Sequence, residues 1–233
     1  ACVAAGIVLA VGAQVQAYPT KPVRMVVAFA PGGGTDIVAR IIGLKLSELW
    51  PHPVVVDNRP GAGSTVGTAM TAKAPPDGYT ISMTSMSHAI NATLYRQLPY
   101  DTVKDFAPVI LAVRAPNVLV VHPSVAAQSV KELIALAKSR PGQLNYGSAG
   151  MGTSPHLAGE MFQHLAGVKM TLVTYKGSPQ SAIDLVAGRL DLIFANGSAA
   201  LPHIRSGRMR LIAISAARQS RWRDFFQRHS IER

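Results

Sequence analysis

Apolar and polar residues follow one another along this chain in the order expected of strands and helices. Val23–Phe29 is a compact apolar run, which predicts a buried strand. The glycine-rich run Pro31–Gly34 interrupts it, and Thr35 is the expected N-cap of a helix with Asp36 in its first turn. Strand, glycine-rich loop and helix return in the same order at 144–167. We therefore predict two units with the same local organisation.

The rest of the chain continues this alternation. Further strands are predicted at Val54–Val56, Tyr79–Thr84, one or two within 106–121, Leu144–Ser148, Met170–Tyr175, Leu190–Phe194 and Leu211–Ile214. Five further helices are predicted. The first runs from the 61–64 loop to about Ala74, and the second follows a capping box of Ser129 and Glu132. The third runs from Pro155 to about Ala166 and is closed by Gly167, and the last two lie around 181–187 and 199–206. Strands alternating with helices predict an α/β protein whose parallel sheets carry helices on both faces.

The first 17 residues have the character of a partial secretory signal peptide. Residues 1–17 are uncharged and mostly apolar, and small residues at Val15 and Ala17 fit a cleavage site. The stretch is shorter than the roughly 20 residues that span a membrane. We expect cleavage after about Ala17 and a soluble mature chain in the periplasm. The alternative is a buried N-terminal strand or helix.

Composition and charge exclude several classes of protein. Hydrophobic residues make up 48% of the chain and charged residues 15%, which excludes a disordered chain. The one cysteine, Cys2, excludes an intramolecular disulfide and a cysteine-based zinc site. The net charge of +11 is spread along the chain without interleaved aromatic residues. This distribution favours anionic ligands or an anionic membrane surface over nucleic acid.

The glycine-rich loops are the candidate binding elements. Loops 31–36 and 147–154 each lead into a helix N-terminus, where free N–H groups and small residues favour carboxylate or phosphate. The alternative for either loop is a plain tight turn. No P-loop, no Gly-x-Ser-x-Gly elbow and no His-Glu-x-x-His motif occurs, and Asp36 has no second carboxylate placed for acid–base work. His156 and His164 are spaced poorly for one metal. We expect no catalytic residue, no metal and no cofactor.

Several long segments together resemble the Bug family of periplasmic solute receptors, the substrate-binding components of tripartite tricarboxylate transporters. The matching segments include PGGGTDIVAR (31–40), VVVDNRPGAGS (54–64), APPDGYT (74–80), LPYDTVKDFAPV (98–109), LNYGSAGMGTSPHLAGE (144–160) and PHIRSGRMR (202–210). The resemblance implies two doubly wound α/β domains of periplasmic-binding-protein type, joined by a hinge near 113–121. It also implies a monomer that holds a small organic acid between the domains for membrane transporter subunits, without catalysis.

The implied ligand contacts come from both domains and are mostly uncharged. The ligand-binding residues implied are Gly33, Gly34, Thr35, Asp36, Ser87, Ser148, Ala149, Gly150, Gly152, Thr153, Ser154, His156 and Asn196. Ser64, Met151 and Ala195 stand where the family usually has other residues, so the resemblance does not specify the acid.

The resemblance also divides the chain. It implies a first domain at 18–118, a second at 119–218, and a tail at 219–233 without a family match. The tail reads as a frameshift or truncation, which would leave the first domain without its returning C-terminal segment. Three functions stay open: a receptor for a small carboxylate, an α/β enzyme that acts on a small anionic metabolite, and a truncated receptor without function.

Overall fold

The computed structural model describes residues 18–215. Its strands are β1 Val23–Val27, β2 Val54–Asn58, β3 Thr80–Met83, β4 Asn117–Val121, β5 Asn145–Ser148, β6 Thr171–Thr174, β7 Leu192–Asn196 and β8 Arg210–Ile214. Its helices are α1 Gly34–Leu49, α2 Thr65–Ala72, α3 Ser87–Leu94, α4 Val130–Ser139, α5 Ser154–Ala166, α6 Ser178–Val186 and α7 Gly197–Arg205. A 3-10 turn at Ala62–Ser64 precedes α2. The predicted signal peptide and the tail lie outside the described residues.

The first sheet has the strand order β2-β1-β3, and all its strands are parallel. Strand β1 is central and almost completely buried, as its apolar sequence, interrupted only by the half-buried Arg24, predicts for a strand covered on both faces. Met25 and Val27 pack with Phe29 and with Ala39 of α1. The elements from β1 to α3 form the first lobe.

The second sheet has the order β6-β5-β7-β4-β8 and is mixed. Strands β6, β5 and β7 are parallel, but β4 runs antiparallel to both β7 and β8. The prediction of parallel sheets throughout is therefore wrong for this sheet. Alternate residues of β4 enter two separate cores, with Leu119 in one and Val120 in the other. Both faces are thus covered by helices, as predicted, and β4–β8 with α4–α7 form the second lobe.

The helix caps described for the second lobe agree with the sequence prediction, whereas the cap of α1 in the first lobe does not. The Ser129 side chain accepts a bond of 3.2 Å from the Glu132 N–H, which confirms Ser129 as the N-cap. Glu132 Oε2 accepts from the Gln128 N–H at 2.7 Å, one residue before the N–H that a capping box uses. Gly167 ends α5 in the left-handed conformation, as predicted. The expected cap Thr35 lies inside α1, because the helix begins at Gly34 and its N-cap is Gly33, two residues before Thr35. Because Gly33 has no side chain, it provides no side-chain acceptor for the first N–H groups of α1.

Two segments differ from the sequence prediction. Helix α3 was not predicted, and 106–116 forms no strand. Pro108 and Pro116 lack the N–H that a strand ladder needs, and between them Ile110 is 81% exposed. The chain crosses from the first lobe to the second through this irregular stretch. Among residues 18–215, no helix has the length and apolar character to cross a bilayer.

Candidate functional site

The loop between β1 and α1 reaches the second lobe at Gly34. A Cβ atom at Gly34 would lie 2.9 Å from Asn196 Nδ2 and 3.2 Å from Ser198 Oγ. Asn196 ends β7 and is the N-cap of α7. The structure therefore brings together two of the predicted ligand-binding residues, one from each lobe, at adjacent helix N-termini.

The Asp36 carboxylate is buried and fully occupied within the first lobe. Its Oδ2 accepts bonds from the Gly32 N–H at 2.8 Å and Arg40 Nε at 3.0 Å, and its Oδ1 accepts one from Asn58 Nδ2 at 2.8 Å. Burial alone would raise the pKa of Asp36, but the bonds from Arg40, Gly32 and Asn58 outweigh it and hold the pKa below its usual value. Asp36 thus fixes the loop, and its contact with a ligand stays a prediction.

The loop between β5 and α5 is held together by its own hydroxyl groups. Ser148 Oγ accepts a bond from the Gly150 N–H at 3.3 Å. Thr153 Oγ1 donates to the Gly150 carbonyl at 2.6 Å and accepts from the His156 N–H at 3.5 Å as the N-cap of α5. Gly150 and Gly152 adopt positive φ angles of 122° and 71°. This loop is therefore a preformed turn at a helix N-terminus.

The side chains at the start of α5 also serve this loop. Ser154 Oγ donates to Asn117 Oδ1 at 3.3 Å, which ties the helix to the first residue of β4. His156 Nδ1 accepts from the Gly152 N–H at 3.4 Å, and its Nε2 lies 4.0 Å from Glu160 Oε1. Residues 18–215 contain no group of three or more His, Cys, Asp or Glu side chains suited to a metal. His156 therefore supports the loop backbone.

A third loop, 61–64, belongs to the site and was missed from the sequence. Ala62 and Ser64 adopt positive φ angles of 43° and 85°, which side-chain-bearing residues rarely adopt. Asn91 Nδ2 of α3 donates to the Gly63 carbonyl at 2.8 Å, and Ser64 Oγ lies 2.9 Å from Ser87 Oγ. The predicted residue Ser87 thus stands behind this loop, completely buried. The Gly-Ala-Gly-Ser sequence directly before α2 was the available signal.

The 61–64 loop presses against the loop of the second lobe. A Cβ atom at Gly63 would overlap the Met151 carbonyl, and one at Gly152 would overlap Asn91 Oδ1. Asn91 is completely buried, and its Oδ1 has no hydrogen-bond partner among the described residues. The backbones of the two lobes therefore meet at glycines, where no side chain has room.

A small cavity, open to solvent, lies at this junction. It is lined by Ala28, Phe29, residues 61–64, Ala149, Tyr175 and Lys176. Ala149 is the predicted site residue that lines it, whereas Gly34 and Asn196 meet elsewhere on the lobe boundary. The lining residues include one basic residue, Lys176, and no acidic residue. An anion is the ligand that this arrangement favours.

The Tyr175 hydroxyl group forms its hydrogen bond within the second lobe. It donates to Asp184 Oδ2 at 2.7 Å, and Arg189 Nη1 donates to Asp184 Oδ1 at 2.8 Å. Burial and the bond to Asp184 raise the pKa of Tyr175 to about 12, so the hydroxyl stays protonated at neutral pH.

Comparison with known sequences gives consistent results. The sequence model described as tripartite tricarboxylate transporter family receptor matches residues 38–226, a range that extends past residue 218. Protein BugT of Bordetella pertussis is 39% identical over 205 residues, which cover 87% of this chain and 63% of BugT. The chain therefore spans less than two thirds of the length of this curated relative.

Solved structures with the same fold include two proteins with bound acids. R. palustris Rpa4515 with adipate is 40% identical, with a TM-score of 0.84, over 86% of this chain and 68% of that chain. MatC (Rpa3494) from Rhodopseudomonas palustris with bound malate is 30% identical, with a TM-score of 0.82, over 86% of this chain and 68% of that chain. These likenesses confirm the predicted α/β fold of periplasmic-binding-protein type.

Proposed function

The chain belongs to the tripartite tricarboxylate transporter receptor family, as its resemblance to Bug proteins predicted, and from this premise we propose that it captures a small organic carboxylate between its two lobes. It acts in the periplasm, after export and removal of a leader near Ala17. It works as a monomer and delivers the acid to the membrane subunits of a tripartite transporter.

The observation that carries this proposal is the meeting of glycine-rich loops from opposite lobes around a cavity without acidic residues. Gly63 meets Met151 at the cavity, and Gly34 meets Asn196 further along the same boundary. Glycines let the backbone approach a ligand, and helix N-termini direct N–H groups and positive partial charge at it. A carboxylate held there gains charge-assisted hydrogen bonds in a partly dry site.

The related structures indicate the size of the acid. Malate and adipate are the acids that two of them contain. We therefore propose a small organic acid of this kind as the ligand.

Binding without turnover is the proposed activity. The family and the fold are those of solute-binding receptors. The hydroxyl and imidazole groups near the loops support the backbone instead of activating a nucleophile: Thr153 Oγ1 donates to a carbonyl, and His156 Nδ1 accepts from Gly152. Both groups are thereby committed to holding the loop in shape.

Titration calorimetry with a panel of acids, including malate and adipate, tests the proposal. We expect one acid to bind at one site per chain and to be recovered unchanged by mass spectrometry. Adipamide is the matched control, because it has the length of adipate without its charge, and it should not bind. Conversion of the acid, equal binding of adipamide, or no binding across the panel would contradict the proposal.

A further inference from the structure

Lys176 occupies a special position at the boundary between the lobes. It follows β6 and precedes α6, and it lines the cavity opposite the 61–64 loop. Its backbone N–H donates to Gln180 Oε1 at 3.1 Å, which fixes the main chain at this point. The adjoining Gly177 lies so close to Ala30 of the first lobe that an added Cβ would be 3.0 Å from Ala30 Cβ. The place of Lys176 is therefore set by contacts within and between the lobes.

Within the described part of the chain, no acidic side chain neutralises the positive charge of Lys176. Among residues 18–215, the Lys176 side chain forms no ion pair. The acid on the following helix, Asp184, is already occupied by the Tyr175 hydroxyl and Arg189. Asp36, the buried acid of the first lobe, is held by Arg40 and its own loop. Lys176 is the one charged residue in the cavity lining.

The remaining donors at the cavity do not require a particular ligand charge. Backbone N–H groups bind one carboxylate through local hydrogen bonds, and they tolerate either a polar or an apolar group at the other end of the ligand. An ammonium on a flexible four-carbon stem adds a full charge that attracts a second anionic group within its reach. Because Lys176 is exposed, salt should weaken this attraction.

We propose that Lys176 is the residue through which this site distinguishes ligands by charge: its ammonium group pairs with an anionic group of the ligand beyond the carboxylate held by the loops. This inference rests on the proposed function, because it assigns a role within the same carboxylate site. It predicts that charge selectivity depends on one side chain and that loop contacts alone bind a monoanion of equal length.

The test compares acids of equal chain length that differ by one carboxylate: succinate with butyrate, adipate with hexanoate, and suberate with octanoate. Calorimetry at low and high salt measures both members of each pair on the parent chain, Lys176→Met, Lys176→Arg and Lys169→Met. Lys169 is the matched control because it is also exposed and lies before β6, at the opposite end of that strand.

For the pair that binds best, the parent chain should prefer the diacid by roughly ten- to hundredfold, as expected for a charge-assisted contact. Lys176→Met should lower this preference to less than about threefold, mainly through weaker diacid binding, and should remove its salt dependence. Lys176→Arg should retain most of the preference, and Lys169→Met all of it.

Loss of the preference in Lys176→Met alone supports the assignment. An unchanged preference in Lys176→Met, an equal loss in Lys169→Met, or a parent chain that binds both members equally would overturn it while leaving the receptor proposal standing. Failure of every acid to bind the parent chain would instead overturn the proposed function and this inference with it.

Discussion

Adding one methyl group at Gly34 tests whether the lobes must approach closely for binding. A Cβ at this position would lie 2.9 Å from Asn196 Nδ2, about 0.5 Å inside the 3.4 Å at which ordinary contact begins. The Asn196 side chain can turn away, but its Cβ at 3.3 Å and Ser198 Oγ at 3.2 Å are also too close. The closed arrangement therefore has to open slightly to accept alanine.

The expected cost follows from overpacking, which destabilises by roughly 1–3 kcal/mol. Gly34→Ala should lie near the lower limit and weaken acid binding by roughly fivefold, whereas Gly34→Val should weaken it by roughly a hundredfold or more. The cost falls on the closed state, since the added atoms meet the other lobe. Thermal unfolding of the ligand-free chain should therefore change little.

Gly43 provides the matched control on the same helix. A Cβ there would meet Val54 Cγ1 and Val56 Cγ2 at 3.5 Å, an ordinary contact within the first lobe. Gly43→Ala should leave the dissociation constant unchanged and raise stability by up to about 1 kcal/mol, because alanine loses less entropy in a helix. Calorimetry with the best acid of the panel measures all three variants. Binding by Gly34→Val at parental affinity would refute the reasoning.

Three further outcomes follow from the described contacts. Thr153→Ala removes the N-cap of α5 and a buried hydrogen bond to Gly150, so urea unfolding should show a free energy of unfolding lower by about 1–2 kcal/mol. Thr153→Ser keeps the hydroxyl group and should avoid most of this loss. Equal stability of the Ala and Ser variants would count against the cap. The pKa of Asp36 is lowered in the folded state, so the ionised carboxylate contributes stability above the usual aspartate pKa of about 4, and this stability is lost as the pH falls through the lower folded-state pKa. Asp36→Asn should therefore lower the melting temperature at pH 7 and flatten the decline of the melting temperature below pH 4. A decline as steep as that of the parent chain would contradict this. Small-angle scattering should give a smaller radius of gyration with saturating acid than without, through rotation about the irregular stretch 106–116. The part of the predicted hinge at 117–121 is excluded, because it forms β4 inside the second sheet. Identical profiles would argue against closure.

The sequence predicted those elements whose buried faces are apolar. Strand β1 was found because all its side chains except Arg24 are apolar, and α5 because Pro155 and Gly167 mark its limits. Helix α3 escaped because its buried residues are Ser87 and Asn91, which a hydrophobic pattern does not register.

The sequence did not predict contacts between elements that lie far apart in the chain. The antiparallel direction of β4 depends on its insertion between β7 and β8, and no local pattern specifies that neighbour choice. The positive φ angles of the 61–64 loop are likewise held by Ser87 and Asn91, which lie more than 20 residues further along the chain. The third loop also directly precedes a helix, but its place in the site depends on its contact with Met151 of the other lobe, which no local pattern predicts.

Hydrogen exchange measured by mass spectrometry, with and without the best acid, tests most directly whether the ligand is held between the lobes. We expect slower exchange in both 61–64 and 150–154, since these loops belong to opposite lobes and meet at the cavity. The turn at 140–142 is the internal control, because an added Cβ at Gly142 meets no atom within 4 Å. Protection of both loops, with that turn unchanged, is the result that a ligand between the lobes predicts. Saturating binding that protects the loops of one lobe alone, or neither, would contradict it.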